Sequence, residues 1–481
     1  MSLSNKMVKG MAWSMLERLS VQGIQFVLGI ILARILSPTE YGTIGLLIVI
    51  IAFMQVFVDS GFSKALIQKQ ERTQTDLSTV FFFNILISII CYIILWIAAP
   101  FIADFYQNET LTNLMRVLSL SLLFGALFSV PLTLFTIKLD FKSIARTNLI
   151  ATVLSGIIGI VMAYRGFGVW ALVMQTLLKS LLTVILMWFQ MKWKPTFIFS
   201  KSSFKSLFPF GSKLLLSSIL NMSVNNFANL FIAKLTSIKD LGFYTRGTQF
   251  ADMAYGTFSS VLDSVLLPSL ASIQNERERL THLTKVTIKS AALVATPVFF
   301  GLAIIAEPLI KVLLTDKWLM AAPIMQILCI ARLVTIISGV NVNVLYAIGR
   351  TDLALKQQYL KLIIRVALLI LALKYGIIYI ALAELISTII HFFINTYYPG
   401  KILNYGALQQ VKDLFPIIFS SFMMAVGMYI SIYFIENIFL KLIMALILGF
   451  PIYFGLIYIL KVKELFTLSK KIRGLIFSDK Q

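Results

Sequence analysis

Fourteen long runs of apolar residues follow one another along the chain, separated by short polar segments. Each run matches the ~20 residues that a helix needs to cross a bilayer, where the backbone must satisfy its own hydrogen bonds. The predicted spans are 12–35, 41–60, 78–99, 113–137, 145–164, 167–190, 209–234, 241–270, 286–306, 321–348, 357–375, 377–398, 413–435 and 438–460. The pattern therefore predicts an all-α integral membrane protein with 14 transmembrane helices.

The overall composition agrees with a membrane protein and offers little for metal or nucleotide chemistry. Hydrophobic residues make up 59% of the chain and charged residues 13%, against roughly 45–50% and 25% in soluble domains. Both cysteines, Cys91 and Cys329, lie inside apolar runs, and the chain has two histidines. Since no phosphate-binding GxxxxGK[ST] loop occurs either, we expect no metal, no cofactor and no nucleotide hydrolysis.

The basic residues are distributed unevenly between alternate loops. The termini and the loops on their side carry 25 Lys and Arg residues, whereas the opposite loops carry 8. Short loops rich in Lys and Arg stay in the cytoplasm, so both termini are predicted to be cytoplasmic. The net charge of +21 is then explained by topology and contact with anionic membrane lipids rather than by nucleic acid.

A sequence repeat relates two parts of the chain. ARILSPTEYG, from Ala33 to Gly42, matches AKLTSIKDLG, from Ala233 to Gly242, and GFGVWAL from Gly166 matches GIIYIAL from Gly376. The order is conserved and an even number of spans separates the copies, which predicts a parallel repeat of two pseudo-symmetric six-helix bundles. The expected divisions are residues 1–197 and 198–405 for the bundles, 406–461 for two C-terminal helices, and 462–481 for a basic cytoplasmic tail.

Polar side chains recur on one face of corresponding helices. Arg18, Gln22, Gln25 and Gly29 share a face of the first span, and Lys213, Asn221 and Asn225 share a face of the seventh. Parallel-repeat transporters place a substrate path between their halves. The two polar helix faces are therefore interpreted as the lining of such a path. The alternative, that the amides hold neighbouring helices together, stays open.

Charges inside predicted spans are costly, at ~2.5–3.5 kcal/mol each on insertion scales. Several of them are basic, and Lys179 and Arg332 lie deepest, so with Arg18, Gln25, Lys213, Asn221 and Asn225 they are the candidate substrate-binding residues. Arg and Lys bind phosphate oxygens well, although snorkelling or a structural ion pair is an alternative for each. The candidate ion-coupling residues are Asp252, Asp263, Glu384 and His391, the last two sharing a helix face.

The motifs also carry a family resemblance. Gly10 and Trp13, ARILSPTEYG and GFGVWAL resemble the polysaccharide transporter, or Wzx-type lipid-linked oligosaccharide flippase, branch of the multidrug/oligosaccharidyl-lipid/polysaccharide (MOP) exporter superfamily. The resemblance implies movement of undecaprenyl-pyrophosphate-linked oligosaccharide across a bacterial inner membrane for O-antigen, capsule or exopolysaccharide, including lipopolysaccharide, assembly. It further implies an H⁺ or Na⁺ gradient, or the membrane potential, as the driving force, and a polysaccharide polymerase with chain-length machinery as partners.

Two other functions remain open from the sequence. A multidrug or lipid II exporter of the same superfamily would share the fold but carry another cargo. A membrane-bound polysaccharide polymerase or ligase would be an enzyme, and such enzymes carry a large external loop, whereas the outward loops here are short. The sequence therefore favours a transporter over an enzyme.

Overall fold

Helices account for nearly all of the described part of the chain. The structure is a computed structural model that describes residues 3–462 and 464–465, with side chains described except at 3–12, 14–19, 221, 224, 225, 227, 261 and 263–265. The helices are α1 Leu3–Ile35, α2 Pro38–Asp59, α3 Phe62–Gln68, α4 Gln74–Phe105, α5 Thr110–Leu118, α6 Leu120–Ile137, α7 Phe141–Tyr164, α8 Val169–Gln190, α9 Lys201–Leu235, α10 Ile238–Ala271, α11 Arg277–Ile304, α12 Ala306–Leu314, α13 Ala321–Ala347, α14 Thr351–Ala372, α15 Ile377–Leu403, α16 Ala407–Phe434 and α17 Ile438–Ile459.

Ten helical segments within the described residues are long and apolar enough to cross a bilayer. They are α2, α4, α5 together with α6, α7, α8, α11, α13, α15, α16 and α17. The other four predicted spans also coincide with helices, but α9, α10 and α14 carry several charged residues, and the apolar part of α1 begins at Ser20. An all-helical, multi-span membrane protein is thus confirmed, and the total of 14 spans stays a prediction.

The chain forms two compact units, Met1–Gly242 and Phe243–Gln481. In the first unit, Phe62, Leu66, Phe81 and Leu134 belong to a buried cluster contributed by α3, α4, α6 and α9. In the second unit, α13 is the most extensively buried helix and packs against α11 and α15. The divisions predicted from the repeat stay a prediction, and nearly all of the tail from 462 lies outside the described residues.

The repeated sequence motif begins a helix in both of its copies. Before α2, the Ser37 hydroxyl accepts a hydrogen bond from the Glu40 amide, and the Glu40 carboxylate accepts one from the Ser37 amide at 2.6 Å. Before α10, the Ser237 hydroxyl accepts from the Asp240 amide at 2.9 Å. These bonds satisfy amides that the first helical turn leaves unpaired, which is why Ser and an acid three residues later recur.

The glycines that end the two motif copies lie against each other. A Cβ atom at Gly42 would overlap the carbonyl oxygen of Ile238, and one at Gly242 would overlap that of Pro38. The contact is reciprocal, because Pro38 and Ile238 occupy the same position in the two motif copies. Gly168, from the GFGVWAL motif, has a φ of +55° and lies against the Glu40 carboxylate. The motif glycines therefore permit close helix packing.

Candidate functional site

Four charged side chains and a tyrosine form a connected network within the second unit. Arg332 on α13 donates through Nη1 to Glu384 Oε1 on α15 at 2.7 Å and through Nε to Asp252 Oδ1 on α10. Arg365 on α14 donates through Nη2 to the same Glu384 oxygen at 3.2 Å, and Tyr244 Oη on α10 donates to Glu384 Oε2 at 2.8 Å. We call these five residues the ion cluster; it links α10, α13, α14 and α15.

The helical spacing explains why α10 supplies two members of the ion cluster. Tyr244 and Asp252 are eight residues apart, slightly more than two turns, so both side chains lie on the same face of α10. Gly247 lies between them, and a Cβ there would come within 2.7 Å of the Ala321 carbonyl oxygen at the start of α13. The glycine lets α10 approach α13 closely enough for Asp252 to pair with Arg332.

The two carboxylates of the ion cluster differ in exposure. The Glu384 side chain is 11% exposed and accepts bonds from Arg332, Arg365 and Tyr244. The Asp252 side chain is 45% exposed and accepts a bond from Arg332. Because exposed ion pairs contribute little and buried ones are costly to break, the Arg332–Glu384 pair is the fixed part of the network and the Arg332–Asp252 pair is the exchangeable part.

The charges of the ion cluster cancel. Arg332 and Arg365 carry two positive charges, and Asp252 and Glu384 carry two negative ones. The sequence predicts Arg332 as a substrate-binding base, with a structural ion pair as the alternative, and the structure pairs this base with two acids. The Arg332 Nη2 group, however, donates no hydrogen bond to the described residues, and a guanidinium with a donor to spare is suited to phosphate oxygens.

Three predicted site residues, Arg332, Asp252 and Glu384, are therefore brought together. His391 lies further along α15, and its Nε2 lies 3.1 Å from both Ser387 Oγ and the Lys361 carbonyl oxygen. These bonds occupy His391 Nε2, while Glu384 pairs with the arginines, and the coupling role of both residues stays a prediction.

The other predicted site residues stay predictions. Gln25 on α1 and Lys213 on α9 are exposed, and Lys179 on α8 is partly buried, all within the first unit. Side chains outside the described set are those of Arg18, Asn221, Asn225 and Asp263.

Two members of the ion cluster were not among the predicted site residues. Arg365 is visible in the sequence as a charge inside a span, but nothing in the spacing pairs it with Glu384, 19 residues later on the next helix. Tyr244 is one of 17 tyrosines, and its bond to Glu384 depends on tertiary packing alone. A buried carboxylate needs donors from neighbouring helices, and this requirement is the signal that could have prompted a search for them.

The fold is similar to that of a known membrane protein. It superposes on the lipid II flippase MurJ in an inward closed conformation with a TM-score of 0.75, covering 95% of this chain and 100% of that one at 17% identity. At this level of sequence identity the likeness shows the fold, which is all-helical and spans the membrane several times.

Sequence comparison then gives the family. The family model described as "Polysaccharide biosynthesis protein" matches residues 31–323, more than half of the chain, so the chain belongs to this family. The teichuronic acid biosynthesis protein TuaB of Bacillus subtilis is 28% identical over 73% of this chain and 74% of its own length. The succinoglycan biosynthesis transport protein ExoT of Rhizobium meliloti is 25% identical over 67% and 66%. The family predicted from the sequence motifs is thus confirmed, and the relatives ExoT and MurJ are transporters rather than enzymes.

Proposed function

We propose that the protein is a flippase that moves polyprenyl-pyrophosphate-linked oligosaccharide, with undecaprenyl as the carrier, between the leaflets of a bacterial cytoplasmic membrane. Two facts support this cargo: the chain belongs to a polysaccharide biosynthesis family, and its fold resembles that of a lipid II flippase. The product would feed assembly of O-antigen, capsule or exopolysaccharide by a polymerase and its chain-length machinery.

The ion cluster carries the proposal. A pyrophosphate presents several anionic oxygens, and Arg332 can exchange its bond to the half-exposed Asp252 for bonds to such oxygens while Glu384 keeps the guanidinium in position. Charge-assisted hydrogen bonds of this kind are worth ~1.5–3 kcal/mol, which is enough to favour a pyrophosphate lipid over a neutral one. The anionic head group is therefore held within the second unit.

The same exchange connects cargo to conformation. Asp252 and Tyr244 both bond α10 to neighbouring helices, and an anion that displaces Asp252 breaks one of these bonds. Alternating access requires such a change in one element when cargo binds. The released Asp252 carboxylate is then available to a proton or Na⁺, which gives a route for coupling to an ion gradient.

The alternative is a multidrug or lipid II exporter with the same fold. The cargoes differ in charge and head group. A drug is commonly a lipophilic cation, and the carboxylates of the ion cluster, which are already paired with arginines, leave no net negative charge to attract it. Lipid II shares the polyprenyl pyrophosphate, so the head group alone separates it from an oligosaccharide precursor. The basic character of Arg332 favours both polyprenyl cargoes over a cationic drug.

The test is a leaflet-exposure assay in proteoliposomes. Native protein and Arg332→Ala are compared for three cargoes: a polyprenyl-pyrophosphate oligosaccharide, lipid II and a lipophilic cation. We expect the oligosaccharide to cross fastest with native protein and its rate to fall about tenfold or more in Arg332→Ala, as the loss of a charge-assisted bond predicts. Faster movement of lipid II or of the cation would assign the protein to the corresponding alternative.

A further inference from the structure

A cavity of about 360 Å³ lies within the first unit, apart from the ion cluster. It is lined by the end of α2, the turn to α3, and parts of α6 and α9. Six of its lining residues are polar or aromatic and bear on what it can bind: Gln55, Asp59, Lys64, Phe128, Ser129 and Ser218. Its volume falls within the ~300–1,000 Å³ typical of small-molecule sites. The basic-residue count predicts that this end of α2 faces the cytoplasm.

Local backbone geometry holds the cavity open. Helix α2 ends at Asp59, and the chain reverses through Ser60 and Gly61, which have φ values of 44° and 71°. On α6, Gly125 leaves room for the Gln55 amide, since a Cβ at Gly125 would come within 2.8 Å of Gln55 Oε1. A residue other than glycine there would push the amide aside, so the sequence reserves this position for Gln55.

Polar groups lie on several sides of the cavity. Gln55 and Asp59 line it one helical turn apart on α2, and Lys64 lines it from α3. On α6, the Ser129 hydroxyl donates to the Ala126 carbonyl at 2.8 Å and accepts from the buried Asn84 amide at 3.0 Å. A hydroxyl has two acceptor lone pairs, so Ser129 keeps one for a ligand.

The charge balance selects the kind of ligand. Asp59 and Lys64 contribute one negative and one positive charge, so a phosphate would meet the carboxylate and a bare cation would meet the ammonium. An uncharged ring with several hydroxyl groups avoids both conflicts, because its hydroxyls can donate to Asp59 and accept from Lys64 and Gln55. The ring of Phe128 adds an apolar surface for the carbon–hydrogen face of such a ring.

We propose that this cavity binds a single uncharged hexose ring of the cargo's oligosaccharide. The inference rests on the proposed function and adds a site for the sugar, distinct from the cluster that would hold the pyrophosphate. The volume accommodates one ring, and the predicted position near the cytoplasm is where a lipid-linked oligosaccharide would be loaded.

The experiment measures saturation-transfer difference NMR between the purified full chain in detergent and a panel of methyl hexosides. We expect a signal for at least one hexoside, with affinity reduced about tenfold in Asp59→Asn, which loses a hydrogen bond to a charged group, and about threefold in Gln55→Ala, which loses a neutral one. The matched control is Asp104→Asn, an exposed acid at the end of α4 in the same unit, which should leave the signal unchanged. Retained thermal unfolding midpoints exclude misfolding as the cause.

The outcomes separate this inference from the proposed function. The sugar site would be overturned if inorganic phosphate, or NaCl at matched ionic strength, abolished the hexoside signal. It would also be overturned if the hexoside signal were equal in all variants. Leaflet exchange of the oligosaccharide without any hexoside signal would also overturn it and leave the flippase standing. A variant-sensitive hexoside signal without leaflet exchange would support the cavity and contradict the flippase.

Discussion

Glu384 accepts hydrogen bonds from three side chains on three different helices, which makes it the residue on which the ion cluster depends. Arg332, Arg365 and Tyr244 all donate to it within 3.2 Å. Removing one partner of a buried ion pair leaves an uncompensated charge, whereas removing an exposed charge has little effect. At the scale of single residues, stability and binding are thus expected to depend on different members of the cluster.

Glu384→Gln should lower the stability of the protein markedly. The amide is isosteric but uncharged, so Arg332 and Arg365 lose their shared counter-charge, at a cost of ~3–5 kcal/mol by analogy with other broken buried pairs. The measurement is the thermal unfolding midpoint in detergent. Glu109→Gln, at an exposed acid before α5, is the control and should unfold like the native chain; equal midpoints for Glu384→Gln would show that the cluster does not stabilise the unit.

At the scale of elements, the sequence predicted the helices well because a membrane span must be a long apolar run. All 14 predicted spans coincide with helices, yet the pattern missed the short helices α3 and α12 outside the long runs and the break between α5 and α6. It also began α4 at 78, whereas the helix begins at Gln74, because Thr73 caps it with a side-chain bond to the Asp76 amide. Hydrophobicity identifies the part of a helix that lies inside the lipid, whereas the capping residue identifies where the helix itself begins.

The candidate site was only partly predictable for a related reason. A charge inside a span, such as Arg332 or Glu384, is evident from the sequence because of its insertion cost. Which charges meet is decided by the packing of α10, α13, α14 and α15, which a single sequence does not reveal. Asp59 and Lys64 are harder still to recognise as site residues, because acids and bases are usual at the ends of spans. Lys64 is one of the 25 basic residues that predict the cytoplasmic side.

The contact between the two motif glycines predicts a stability effect. Gly42→Ala should destabilise the protein by ~1–3 kcal/mol, the usual cost of forcing extra volume into a packed site, because the new methyl group would overlap the Ile238 carbonyl. Gly242→Ala should have a similar effect, since the contact is reciprocal. Thermal unfolding in detergent measures both variants.

Gly339→Ala is the matched control for the glycine variants. It also lies inside a helix, α13, but a Cβ there would meet no atom within 4 Å. The control is expected to be as stable as the native chain or slightly more so, because alanine favours a helix over glycine. If Gly42→Ala unfolded at the same temperature as Gly339→Ala, the close approach at the motif would be refuted.

At the scale of the whole molecule, the uneven distribution of Lys and Arg predicts the orientation in the membrane. Cys91 and Cys329 are both buried, so a thiol reagent should label cysteines introduced into loops with little labelling of the native ones. In intact cells, an impermeant maleimide should label Glu109→Cys and Glu436→Cys, in loops predicted to face outward. Arg72→Cys and Arg277→Cys should react only after permeabilisation. The reverse pattern would invert the topology and move the first-unit cavity to the outer side.

The central claim is that an anionic lipid head group displaces Asp252 and accepts the hydrogen bond that Arg332 donates to it. The most direct measurement is the dissociation constant of polyprenyl pyrophosphate in detergent for native protein, Asp252→Asn and Arg332→Ala, with Asp316→Asn as a control that frees Lys311 from a surface ion pair instead. We predict that Asp252→Asn binds more tightly than native protein, that Arg332→Ala binds about tenfold more weakly, and that Asp316→Asn is unchanged. Equal affinity of Asp252→Asn and native protein, or undiminished binding by Arg332→Ala, would contradict the exchange.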